Sequence, residues 1–131
     1  MPILYLYTQD VIEIHSRVLQ ETGGLDGVRT LDGLESALAQ ARQSFAGEEL
    51  FPTIHEKAAA IGYYLCQNHC FNDGNKRTAY QSMFVFLYAN GYSIETTVDD
   101  AEAAILSIAT REMKRDELAQ WIADRIMPLS Q

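Results

Sequence analysis

Apolar residues recur at helical spacing along most of this chain. Val11, Ile12, Ile14, Val18 and Leu19 fall on one side of a helix that Thr8 can cap and that runs to about Glu21. Gly23 and Gly24 end it. Leu31, Leu34, Leu38 and Ala41 mark a second helix, from Leu31 to about Gln43. The stretch FAGEELFPT predicts a loop with a small hairpin around Gly47. Thr53 and Glu56 form a capping-box pattern that opens a helix reaching about His69. From Asn75 the pattern is apolar on nearly all sides, through Ala79, Tyr80, Met83, Phe84, Val85, Phe86, Leu87 and Tyr88. Such a helix is expected at the buried centre of a bundle, and Asn90-Gly91 stops it. Thr97 with Asp100 opens another helix, to about Ala109, and a last one from about Arg115 to Met127 turns Leu118, Trp121, Ile122 and Ile126 inward. Ile3–Tyr7 reads as the one short strand. Six helices and almost no strand predict a single all-α domain over residues 1–131.

Between two of these helices lies NHCFNDGNKRTA, residues 68–79, which is dense in polar chemistry. The whole chain carries a formal charge of −8, with a pI near 4.7. Duplex binding needs a basic stripe, so a direct nucleic-acid partner is not expected. Phosphate chemistry must then use a local basic pocket, and Lys76 with Arg77 supplies one. No apolar run is long enough to span a bilayer, and MPILYLYTQD lacks the features of a signal peptide. A cytoplasmic protein without a membrane partner is the expectation. The two cysteines, Cys66 and Cys70, read as reduced thiols.

The turn's chemistry follows from its position. Asn75 opens a helix, where backbone N–H groups and the dipole favour an anion. Gly74 permits a positive φ and a close approach of phosphate to the backbone. Lys76 and Arg77 oppose the dipole unless an anion offsets them. Asp73 is a hard oxygen ligand suited to Mg²⁺ beside bound phosphates. Histidine is the side chain type suited to proton transfer near neutrality, which makes His69 the candidate base. Base, metal ligand and anion nest together point to phosphoryl or nucleotidyl transfer to a hydroxyl. Taken singly, each residue has a plain structural explanation, as a helix cap, a tight turn or a solvated charge; the conjunction carries the inference.

That conjunction resembles the Fic/Doc (Fido) loop, roughly H-x-F-x-D/E-G-N-G/K-R. His69, Phe71, Asp73, Gly74, Asn75, Lys76 and Arg77 fill it. GGLDGVRTLDGLESALAQ, LFPTIHEKAAA and FLYANGYSI look like the death-on-curing (Doc) branch, in the same order, over about residues 8–125. The resemblance implies a Fido-type helical bundle with a short flap near Phe45–Phe51 that docks a target segment. It implies His69 as general base, Asp73 as the Mg²⁺ ligand, and Asn72, Gly74, Asn75, Lys76 and Arg77 on the phosphates of ATP. Lysine at position 76, where Fic AMP transferases have glycine, is the Doc form. It implies protein-kinase activity toward a translation factor such as elongation factor Tu, with arrest of translation. Tyr80 stands where the AMP transferases place a second arginine. AMP transfer is the runner-up reading, and a catalytically silent protein-binding module the third. The chain lacks the family's inhibitory helix pattern, which implies a Phd-like antitoxin supplied in trans. Cys70 replaces a frequent proline and places a thiol beside the proposed base, so its oxidation is expected to lower activity. Thr30 stands where relatives often have aspartate.

Overall fold

The computed structural model describes residues 2–129. Six helices account for most of the chain: α1 (Thr8–Thr22), α2 (Leu31–Gln40), α3 (Ile54–Gln67), α4 (Asn75–Ala89), α5 (Val98–Ala109) and α6 (Arg115–Ala123). Two small antiparallel ribbons accompany them. β1 (Ser44–Phe45) pairs with β2 (Glu48–Glu49) as the expected hairpin, and β3 (Tyr92–Ile94) pairs with β4 (Ile126–Pro128).

Helix starts follow the capping chemistry. Thr30, Thr53 and Thr97 each accept from the backbone N–H three residues on, opening α2, α3 and α5. At α1 the boundary residue is Tyr7 rather than Thr8, because the Asp10 carboxylate accepts from the Tyr7 N–H at 2.8 Å. The expected strand at Ile3–Tyr7 does not form, since the segment pairs with no strand among the described residues. The Asn90 side chain takes that role, accepting from Leu4 N–H at 2.8 Å and donating to Leu4 C=O at 2.9 Å. The last helix stops at Ala123, short of the expected Met127, because Ile126–Pro128 finds backbone partners in β3.

The centre of the bundle is α3, not α4. Residues 57–62 of α3 are buried without interruption, and the helix packs against α2, α4 and α6. Ala58, Ala59 and Ala60 let these helices approach closely, and a Cβ at Gly62 would collide with the Met83 sulfur of α4. On α4, Ala79, Met83, Phe86 and Leu87 are buried, while Val85 and Tyr88 face outward. One buried charge anchors the hairpin. The Lys57 ammonium donates to Phe51 C=O at 2.6 Å and to the Glu49 carboxylate at 2.7 Å.

Candidate active site

The polar turn lies between the end of α3 and the start of α4, and it is held from within and by two neighbouring parts of the fold. Phe71 is buried at its middle. Asn75 closes the turn on itself, accepting from Phe71 N–H at 2.9 Å and donating to Phe71 C=O at 2.8 Å. The segment between α1 and α2 runs alongside. Arg29 N–H donates to Cys70 C=O at 2.7 Å, Asn72 N–H donates to Gly27 C=O at 3.2 Å, and Val28 bridges Phe71. From α1, His15 stacks on the Phe71 ring at 3.9 Å and places Nε2 2.8 Å from Asp73 C=O.

His69 is exposed and takes a left-handed backbone with φ 47°. A non-glycine residue in that region is uncommon, and such strain concentrates at functional positions. Its carbonyl accepts from Arg29 Nη1 at 3.3 Å. Asp73 is exposed, and Oδ2 accepts from Leu25 N–H at 2.7 Å. Oδ1 has no donor among the described residues. No group of three or more His, Cys, Asp or Glu side chains is placed to cage a metal among the described residues. A single exposed carboxylate fits Mg²⁺ that arrives with phosphates and keeps its waters, the usual arrangement for that ion.

The start of α4 departs from every other helix. The first helical bond runs from Thr78 N–H to Gly74 C=O at 2.9 Å. The N–H groups of Gly74, Asn75, Lys76 and Arg77 have no acceptor among the described residues. No side chain caps this end, and its first turn holds no acidic residue, whereas each of the other five helices has one there. Gly74 itself is left-handed, with φ 78° and ψ 18°. Orphan donors, a favourable dipole and two cations make an anion site.

This helix start opens into a cavity of about 680 Å³ between α1, α4 and α5. Gly74, Asn75, Lys76 and Arg77 line its polar end; Val18, Ile94, Val98, Ala101 and Ile105 line the apolar remainder. His69, Asn72 and Asp73 belong to the same turn but lie outside this lining. Asn72 turns its amide to Asp26 C=O at 3.1 Å. Of the tyrosines near the turn, Tyr80 lines the cavity, whereas Tyr63 and Tyr64 pair edge-to-face against the core. Arg77 approaches Glu102 of α5 at 4.0 Å, with both side chains about half exposed, a geometry worth little.

Two residues behave differently from expectation. Cys70 is fully buried, with its thiol directed at Leu65 C=O, and burial pushes its pKa up to about 11. It is a small core side chain, without the exposure or thiolate character that oxidation needs. Thr30 caps α2 through Gly33 N–H, so the residue has a structural task of its own. The sequence reading missed His15, whose one signal was a polar residue on the apolar side of α1. It found the helix α5 but not that α5 walls the cavity, which depends on tertiary packing.

A profile of the Fic/DOC family matches residues 5–87. The chain belongs to the Fic/DOC family. It is 35% identical over 121 residues to a protein named Toxin Doc from Mycolicibacterium smegmatis, covering 91% of each chain. It is 29% identical over 120 residues to Protein kinase doc of Escherichia phage P1, covering 90% of this chain and 92% of the phage protein. The family match contains the whole polar turn and the capless start of α4. No helix among the described residues is long and apolar enough to cross a membrane.

Proposed function

We propose that this chain is a Doc-like toxin: a kinase that moves the γ-phosphate of ATP to a hydroxyl of a translation factor, elongation factor Tu by family resemblance, and so arrests translation. The observation that carries the reading is the capless, doubly cationic start of α4, set on one turn with an exposed histidine and carboxylate. The relatives named as a Doc toxin and a Doc kinase support it.

The chemistry assigns each residue a task. His69 accepts the proton as the target hydroxyl attacks phosphorus; a new O–P bond forms and the bond to the β-phosphate oxygen breaks, releasing ADP. The N–H groups at 74–77 hold phosphate oxygens, with Lys76 and Arg77 adding charge where it develops. Asp73 would hold Mg²⁺, which supplies charge neutralisation between phosphates when bound. Lys76 occupies space that a glycine would leave to a phosphate, which favours phosphoryl over AMP transfer. Asn72 braces the turn rather than the nucleotide. The flap carrying β1 and β2, with Phe45 79% exposed at its edge, is the surface for the target segment. A Phd-like antitoxin restrains the toxin in trans.

The test incubates wild type and His69→Ala with Mg²⁺, elongation factor Tu and ATP labelled at the α or the γ phosphate. Transfer from γ alone, lost in His69→Ala, is expected. Label from α would establish AMP transfer instead. No transfer from either, to this target or to whole-cell extract, would leave a binding module.

A further inference from the structure

His15 is the one buried histidine, and the proposed chemistry does not use it. It is 2% exposed on α1, and its ring stacks on Phe71 with planes 8° apart. Nε2 lies 2.8 Å from the Asp73 carbonyl oxygen. A carbonyl can only accept, so Nε2 carries the proton and donates. The contact therefore fixes a direction as well as a distance. In a trans peptide the C=O and the following N–H point to opposite sides. With the Asp73 carbonyl drawn to His15, the Gly74 N–H points away from His15.

That direction matters because Gly74 is where the row of orphan donors begins. Nothing within the residue itself sets it. Gly74 has φ 78° and no side chain, so rotation of the Asp73–Gly74 peptide meets little steric resistance. The side chains of Asn75 and Asn72 brace Phe71 and Asp26 and leave this peptide alone. The Asp73 carboxylate binds Leu25 N–H on the neighbouring segment. His15 is the side chain that grips the peptide itself.

We infer that His15 is a positioning residue, whose Nε2–H locks the Asp73–Gly74 peptide so that the Gly74 N–H is offered to a nucleotide phosphate. The assignment rests on the ATP-dependent reading above. It requires no change in the protonation of His15, only the donor.

The chain has eight glycines, so ¹⁵N-glycine labelling gives a short spectrum in which Gly74 can be followed. ATP is titrated without metal into wild type, His15→Gln and His15→Phe, with melting temperatures measured alongside. Glutamine places an N–H near the position of Nε2, while phenylalanine keeps the stack and loses the donor. The Gly74 amide is expected to shift with ATP in wild type and His15→Gln and to stay nearly still in His15→Phe. ATP affinity is expected to fall about tenfold in His15→Phe, the equivalent of one well-made hydrogen bond, and to stay within about twofold of wild type in His15→Gln. His15→Leu replaces His15→Phe should that variant not fold. Equal Gly74 shifts and affinities across folded variants would overturn the assignment, and so would a folded His15→Gln that loses the shift. Wild type that neither binds ATP nor shows the shift would end the nucleotide reading first, and the His15 assignment with it.

Discussion

Lys76 and Arg77 stand at the positive end of α4, where the backbone dipole disfavours cations. Their presence costs stability until an anion arrives, a conflict typical of a functional site. Lys76→Ala is accordingly expected to gain about 0.3–1 kcal/mol in the absence of nucleotide. The same variant should lose ATP affinity, and its urea midpoint should no longer rise when ATP is added. A variant that loses stability and binding together would make Lys76 a structural residue. Cys70 presents the opposite case. Its thiol is buried and its pKa raised to about 11, so the thiolate is scarce at neutral pH. Iodoacetamide is expected to leave Cys70 unmodified in the native protein and to modify it after denaturation, read by peptide mass. The candidate loop stood out in the sequence because His69, Asp73, Gly74, Asn75, Lys76 and Arg77 fall within nine residues. The burial of Cys70 was not, because it depends on where the turn folds against α3.

At the scale of elements, local signals served well where one short segment decides the outcome. Thr53 with Glu56 opens α3, Thr97 with Asp100 opens α5, and the hairpin forms around Gly47. They failed where a distant segment competes. Ile126–Pro128 leaves helical pattern for a strand because β3, more than thirty residues earlier, offers it backbone partners. The centrality of α3 over α4 rests on small residues that admit neighbours, a property hydrophobicity does not measure. The hairpin illustrates how such distant ties reach function. Its outer residues are exposed, and its anchor to the bundle is Lys57, 2% exposed, holding Glu49 and the Phe51 carbonyl. Removing the ammonium leaves a carbonyl without its donor in a buried setting. Lys57→Met is expected to lower stability by about 1–3 kcal/mol and to expose residues 44–50 to limited proteolysis. Unchanged cleavage in this segment would show that the hairpin is held by other contacts.

Across the whole molecule, one cluster fastens the end of the described chain to its middle. Arg125 follows α6 and donates from Nε to the Asp100 carboxylate of α5 at 2.9 Å and from Nη1 to Trp121 C=O at 3.0 Å, with its guanidinium 4.4 Å above the Trp121 ring. Asp100 also accepts from the Thr96 hydroxyl at 2.9 Å. These bonds, first Thr96 and then Arg125, hold the Asp100 carboxyl below its ordinary pKa. Glu56 is lowered in the same way by the Thr53 hydroxyl at the start of α3. A carboxyl whose pKa is lower in the folded state stabilises that state fully above its unfolded pKa. The gain is lost as pH falls through the folded value. The deficit of Asp100→Asn should therefore be largest near neutrality and should shrink as pH drops below about 4, the ordinary range for aspartate. The Asp100 side chain is 43% exposed, so added salt should also narrow the gap. Melting temperatures of wild type and variant, measured from pH 7 to pH 3, decide the matter. A constant difference over that range would mean that the fastening owes nothing to the charge of Asp100. It would leave the paired backbones of β3 and β4 as what closes the fold.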